Sequence, residues 1–176
     1  MKKKLLRSDQ IITTQDYPVY NKHILVIFFR VFSKGFGKIL PPVPVFHISS
    51  GIPYVKGKDA KSKRYNKMLS SYLEKNPRAK YFLIDGGHKT SAAALAHKLI
   101  PAIIMENDKD FTKIRRLQSK GEFFGFHNPS KTLKACIKEA AKHHFGAKKF
   151  LTVEDKVKKM IKHKDVPKYM ISAYKK

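Results

Sequence analysis

The sequence is poor in cysteine and in acidic residues. Cys136 is the single cysteine in 176 residues, which excludes an internal disulfide framework and is typical of a reducing compartment, so we expect a cytoplasmic protein. Only 13 aspartates and glutamates accompany 38 lysines and arginines, giving a formal net charge of +25. This excess favours a polyanionic partner, nucleic acid before an anionic membrane, although general adaptation to a salty cytoplasm would also account for it.

Long apolar runs and the familiar phosphate-loop motifs are also missing. The apolar run at residues 24–29 is too short to cross a bilayer, so we expect no transmembrane segment. Neither the Walker A pattern nor the dinucleotide-binding glycine pattern occurs. His143 and His144 have no cysteine or histidine partners at zinc-ligand spacing, and adjacent helical residues point about 100° apart. The sequence therefore predicts no zinc site.

The most informative segment is residues 81–94, where an apolar run ends in Asp85 and two glycines, a histidine and a lysine follow. This order predicts a strand, a tight turn and a helix N-terminus. Free N–H groups and the helix dipole at such a turn favour an anion, and glycines let the ligand approach the backbone. We predict a phosphate site formed by Gly86, Gly87, His88, Lys89, Thr90 and Ser91. The alternative is an ordinary turn in which Thr90 and Ser91 complete the first helical turn.

Asp85 and His88 are the candidate catalytic residues. Asp85 is predicted to bind Mg²⁺, directly or through water, or to activate an attacking group; alternatively it orders the loop as a turn or cap residue. His88 is predicted to donate to a phosphate or to act as a general acid, with an ordinary polar role at the helix start as the alternative.

The same segment resembles the Asp-Gly-x-His-Arg-x-x-Ala-Ala signature of the ParB/sulfiredoxin superfamily. Residues 37–45, Gly-Lys-Ile-Leu-Pro-Pro-Val-Pro-Val, resemble the strand that precedes the signature in that family. Residues 100–105, Ile-Pro-Ala-Ile-Ile-Met, resemble the strand that follows it. The three blocks occur in the family's order, and the resemblance covers residues 8–106.

The resemblance implies a nucleotide-phosphate site at this turn. The superfamily includes DNA-segregation proteins that bind and hydrolyse CTP, nucleases, sulfiredoxins that use ATP, and an archaeal kinase that phosphorylates free serine from ADP. The implied ligand is therefore ATP, ADP or CTP with Mg²⁺. Lys89 replaces the family arginine, so a bidentate fork becomes a point charge. Gly87 stands where sulfiredoxins carry a reactive cysteine, and the Gly-Glu-Arg-Arg box of the CTPases is missing. Sulfiredoxin chemistry and a literal CTP clamp are therefore not expected.

Hydrophobic periodicity and capping residues predict the secondary structure. The predicted strands are 10–14, 43–48, 81–84 and 102–105, and the predicted helices are 21–33, 62–76, 88–98, 111–119, 130–145, 152–163 and 166–173. The strand–helix–strand order at 81–105 predicts a βαβ-like unit. The predicted fold class is α/β (α+β): a ParB/sulfiredoxin-like core with a small mixed sheet at 1–108, followed by a helical C-terminal extension at 109–176.

Basic residues gather in residues 54–80, among tyrosines, and on one stripe of the predicted helix 130–145. Such residues can contact nucleic-acid phosphates, although a solvated helix face is the common alternative. The predicted nucleic-acid contacts are Lys61, Lys63, Arg64, Lys67, Lys131, Lys134, Lys138 and Lys142. The three phenylalanines at 123, 124 and 126 are predicted to be a core plug or a stacking platform for a base.

The function predicted from these features is a ParB-like nucleic-acid-binding protein with a nucleotide-phosphate site and Mg²⁺ at the Asp85 turn, with NTPase or nuclease activity left open. One alternative is a nucleotide-dependent small-molecule kinase resembling the free serine kinase. A kinase needs a second carboxylate, for which Asp16 and Glu106 are the candidates. Another alternative is a DNA-binding module without catalysis.

Overall fold

A computed structural model describes residues 1–13, 17, 19, 21–147 and 149–175. Five strands form one mixed sheet in the described part: β1 Lys2–Leu6, β2 Ile11–Ile12, β3 Val43–His47, β4 Tyr81–Leu83 and β5 Ile100–Ile104. Seven α-helices accompany them: α1 Lys22–Ser33, α2 Ala60–Lys75, α3 Gly87–Leu95, α4 Asp108–Ser119, α5 Leu133–His144, α6 Val153–Lys162 and α7 Lys168–Lys175. The predicted mixed α/β class is confirmed, whereas the specific ParB/sulfiredoxin-like fold stays a prediction.

The sheet has the strand order β1-β5-β3-β4-β2. Parallel pairs join β3 to β5 and β2 to β4, and antiparallel pairs join β1 to β5 and β3 to β4. Consequently β4 and β5 run in opposite directions with β3 between them. The predicted βαβ-like unit is therefore wrong in the direction of its second strand, because strand–helix–strand order alone does not fix that direction.

Side chains on the two faces of the sheet build two hydrophobic cores. Val45 and Leu83 point to one face, while their neighbours Phe46 and Phe82 point to the other, as strand alternation requires. The first core contains residues of α1, α3, α6 and α7, and the second contains residues of α2, α4 and α5. The helices are thus divided between two layers, with the sheet in the middle.

The predicted helix 21–33 is confirmed, and Asn21 caps it by accepting a hydrogen bond from the Ile24 N–H at 3.1 Å. β1 was not predicted, because its three lysines hide the strand pattern; lysines are a common protection for an edge strand. The predicted strand 10–14 is observed over Ile11–Ile12, and its Thr14 lies outside the described residues.

The predicted boundary near residue 108 stays a prediction. Helices from residues 109–176 contribute to both cores, for example through Phe111 in one and Val157 in the other. The Thr13 N–H also donates to the Leu151 carbonyl at 3.0 Å. The C-terminal segment therefore packs on both layers. No described helix combines the length and apolar character needed to span a membrane.

Candidate functional site

The candidate site lies at the turn between β4 and α3. Gly86 caps the helix in the left-handed region at φ +105°, and a Cβ built there would lie 2.7 Å from Val43 Cγ1. Only glycine combines that backbone angle with that close approach. Glycine at position 86 is therefore required by the turn itself.

Asp85 connects this turn to a distant loop. Its Oδ1 accepts the Gly86 N–H at 2.6 Å, and its Oδ2 accepts the His127 N–H at 2.7 Å. The side chain therefore holds the segment after α4 against the start of α3. This is the loop-ordering role that was the alternative to catalysis. Within the described residues, no group of three or more His, Cys, Asp or Glu side chains could hold a metal ion, so the Mg²⁺ role of Asp85 stays a prediction.

Lys89 is a buried cation at the first turn of α3, with 5% of its surface exposed. Its Nζ donates to the Pro41 carbonyl at 3.1 Å and lies 5.8 Å and 5.6 Å from the ring centroids of Phe123 and Phe124. Burial lowers the pKa of Lys89 to about 8, and the negative charge of Asp85 opposes this shift. The ammonium group therefore sits under the loop that Asp85 holds in place.

The aromatic residues of this loop have different environments. Phe123 and Phe126 are each 3% exposed and belong to the second core, as predicted for a core plug. Phe124 is 51% exposed and covers the ammonium group of Lys89 from outside. One aromatic ring at the candidate site is therefore open to solvent.

His88 connects the turn to the start of α1. Its Nε2 accepts the Asn21 N–H at 3.3 Å, and the side chain is half-buried. The same asparagine caps α1, so His88 positions the N-terminus of one helix beside that of another. Its predicted donation to phosphate stays a prediction.

Thr90 and Ser91 do not face the outside of the turn. The Thr90 hydroxyl donates to the Gly86 and Gly87 carbonyls, each at 3.1 Å, and both side chains are fully buried. A ligand at the surface of the turn would contact neither hydroxyl. The Thr90 hydroxyl completes the first helical turn, as in the alternative, and the phosphate-binding role of both residues stays a prediction.

The backbone N–H groups of the turn differ in whether they have an acceptor. The Gly86 N–H donates to Asp85 and the Thr90 N–H donates to the Gly86 carbonyl at 2.9 Å. Among the described residues, no acceptor is found for the N–H groups of Gly87 and Lys89. These two groups lie at the positive end of the α3 dipole, so the candidate anion site narrows to them and to His88.

Of the two carboxylates predicted for a kinase, Glu106 is described, and among the described residues it forms no hydrogen bond with this turn. Glu106 follows β5 and is exposed, and its own N–H donates to Asp110 at 2.9 Å. Asp16 lies outside the described residues.

The predicted nucleic-acid contacts lie on exposed parts of the layer formed by α2, α4 and α5. Lys61 and Arg64 line a groove of about 500 Å³, and the Lys61 ammonium lies 4.8 Å from the ring centroid of Phe145. Lys63 and Lys67 are on the same helix. Lys134, Lys138 and Lys142 lie on α5, and Lys131 precedes its cap residue Thr132. All four lysines are exposed.

Sequence reasoning did not single out the basic face of α4. Lys109, Lys113, Arg116 and Lys120 line one groove of about 470 Å³ on the same layer. Their spacing of four, three and four residues places them on one side of a helix, and this signal was present in the sequence.

Comparisons of the chain with protein-family models, curated proteins and solved structures found no match. The resemblance to the ParB/sulfiredoxin superfamily therefore stays a prediction from the residues quoted for it.

Proposed function

We propose that this chain is a ParB-like nucleic-acid-binding protein that holds the phosphate of a nucleotide at the Asp85 turn. The observation that carries the proposal is that acidic and basic side chains differ in how they are placed in the fold. In the described part of the chain, most of the acidic side chains accept hydrogen bonds or form ion pairs within the fold, while most lysines and arginines are exposed. The positive field is therefore left for an external polyanion.

Helix caps account for several of the acidic groups. Asp59 accepts the Ser62 N–H at 2.9 Å at the start of α2, and Asp155 accepts the Thr152 N–H at 3.1 Å at the start of α6. Asp108 accepts the Leu133 N–H at 2.8 Å, which ties α4 to α5. Asp110 pairs with the N-terminal amino group of Met1 at 3.2 Å. These carboxylates stabilise the fold locally and neutralise few of the exposed lysines.

The nucleotide part of the proposal is supported by the α3 N-terminus. The N–H groups of Gly87 and Lys89 suit phosphate oxygens, and the buried Lys89 ammonium adds positive charge behind them. The resemblance at residues 37–45, 81–94 and 100–105 names the ligand class as ATP, ADP or CTP with Mg²⁺. Asp85 is the residue to which we assign the metal, through a bridging water, because both of its oxygens already accept backbone N–H groups.

A thermal-shift panel of ATP, ADP and CTP, with and without Mg²⁺, tests the nucleotide site. We expect at least one nucleotide to raise the midpoint of unfolding, because a ligand that binds only the folded state stabilises it. Gly87→Val is expected to abolish this shift, because the new side chain blocks the approach to the helix start.

Gly146→Val is the matched control, since a Cβ at position 146 meets open space and the position is distant in sequence from the Asp85 turn. It should keep the nucleotide response. Equal shifts in the Gly87 variant and the wild type would contradict the phosphate site at this turn.

A further inference from the structure

Four cations lie on one side of α4, three on the helix and Lys120 directly after its last residue. Lys109, Lys113, Arg116 and Lys120 are exposed and line a groove of about 470 Å³ together with Thr112, Leu117 and Glu122. We call these four side chains the α4 cationic face. At a rise of about 1.5 Å per residue, they extend over roughly 16 Å along the helix axis.

The opposite side of α4 fixes the orientation of this face. Phe111 and Ile114 are fully buried in the second core. Arg115 donates from one guanidinium nitrogen to the Asn128 and Ser130 carbonyls, each at 3.0 Å. The helix therefore cannot rotate without breaking its core, and the α4 cationic face is held outward.

These four cations have no compensating charge on their own helix. In the part of the chain that the structure describes, none of the four side chains forms a hydrogen bond or an ion pair. The acids of α4 are used elsewhere: Asp108 accepts from Leu133, and Asp110 accepts from Glu106 and binds the amino terminus. Like charges at such spacing repel one another, so an anionic ligand would relieve a cost that the free protein carries.

The charged surface continues onto α5. Lys109 also lines a neighbouring groove of about 750 Å³, and Lys134 lines that groove from the α5 side. The two grooves therefore share a lysine, and the positive surface crosses from one helix to the next. A run of this length matches an extended polyanion better than a single small anion.

We propose that the α4 cationic face binds the phosphate backbone of double-stranded DNA. This inference rests on the proposed nucleic-acid function and assigns its main contact surface. Duplex DNA presents about one negative charge per 1.7 Å of helix axis, and lysine and arginine contacts to it release condensed counterions. The face would position the duplex and carry no sequence information by itself.

The lining of the groove favours a nucleic-acid duplex over a single strand. None of its seven side chains is aromatic, whereas proteins that bind single strands stack the bases on aromatic rings. Four of the seven lining side chains are cations suited to the phosphates of a duplex backbone, and a comparison with an RNA duplex separates the two kinds of duplex. The groove therefore suits a duplex backbone better than a single strand, and duplex DNA is the ligand to which the proposal commits.

Neutralisation of the face tests the inference. The variant carries Lys109→Gln, Lys113→Gln, Arg116→Gln and Lys120→Gln, and its matched control carries Lys22→Gln, Arg30→Gln, Lys34→Gln and Lys38→Gln. Each removes three lysines and one arginine that are exposed. The control residues lie on or just after α1, which packs on the opposite face of the sheet. Because both variants lose four positive charges, a difference in their DNA affinity reports where the charges lie and not the net charge of the protein.

Fluorescence anisotropy with a labelled DNA duplex of about 20 base pairs, over a range of salt concentrations, provides the readout. The α4 variant should lose at least about tenfold in affinity at low salt, and its slope of log K against log salt should become shallower by about 3 to 4. The control variant should keep a slope close to that of the wild type. Thermal unfolding of both variants should remain cooperative, because only exposed side chains change.

Other results would overturn the inference in distinguishable ways. If the α4 variant and the control variant bind DNA equally well, the surface is wrong while the proposed function stands. If a single strand or an RNA duplex binds more than about tenfold tighter than duplex DNA, the assigned ligand is wrong. If the wild type binds no nucleic acid even at low salt, the proposed function fails together with the inference.

Discussion

Lys89 has an environment far from the one that a lysine ordinarily has. A lysine at the start of a helix usually keeps its ammonium group in water, whereas here Phe123, Phe124 and the Pro41 carbonyl enclose it. Burial lowers the pKa of Lys89 to about 8 from an ordinary value of 10.5. Phosphate bound at the turn would stabilise the charged form and raise this pKa again.

The lowered pKa of Lys89 predicts a specific pH dependence of stability. Between pH 8 and 10.5 the unfolded chain binds more protons at this lysine than the folded protein does, so stability rises with pH in that window. From pH 8 to about pH 9.5 Lys89 alone should add about 1–2 kcal/mol to the free energy of unfolding, and the buried Cys136 thiol, whose pKa is raised to about 12, offsets part of this gain in the wild type. The pH range ends below the ordinary pKa of tyrosine so that tyrosine ionisation does not add to the measured slope.

Lys89→Met removes this titration and should flatten the slope of the unfolding free energy, measured by urea denaturation at each pH. Lys98→Met, which removes an exposed lysine just after the same helix, should keep the wild-type slope. Identical slopes for Lys89→Met and the wild type would show that Lys89 is not buried as a cation.

The turn between β4 and α3 is the element on which the candidate site depends. Gly86→Ala should destabilise the fold by about 2–4 kcal/mol, since it combines left-handed backbone strain with a contact of 2.7 Å to Val43. Gly125→Ala is the matched control, because Gly125 also has a positive φ, of 74°, but a Cβ there meets open space. Strain alone should cost that variant about 1–2 kcal/mol. Chemical denaturation of both proteins gives the comparison, and equal losses would argue against the tight approach to β3.

Local patterns predicted the helices better than they predicted the strands and the site. Apolar spacing and an Asn21 cap were enough for α1, and apolar spacing placed Tyr65 and Leu69 of α2 in the core. The predicted helix 88–98 ends earlier, at Leu95, because His97 takes a left-handed φ of 52°. Position 97 is not a glycine, so the sequence carries no signal for this helix end. The hydrogen bond between Asp85 and His127 joins residues 42 positions apart, so no local pattern could reveal it.

At the scale of the whole molecule, the distribution of charge supports the proposed function. Acidic groups cap helices and tie loops together, whereas lysines and arginines remain on the exposed faces of α2, α4 and α5. A positive field speeds association with polyanions. Salt screens this field, and at 0.1 M the screening length is about 10 Å. A small-molecule enzyme has no need of such a surface.

The salt dependence of duplex DNA binding by the wild-type protein tests this central claim most directly. With roughly 6–10 phosphate contacts, we expect the affinity to fall by about 10³–10⁵ between 50 and 200 mM salt, along a straight line of log K against log salt. Anisotropy titrations at four or more salt concentrations would measure that slope. A flat dependence, or no binding at 50 mM salt, would contradict the account.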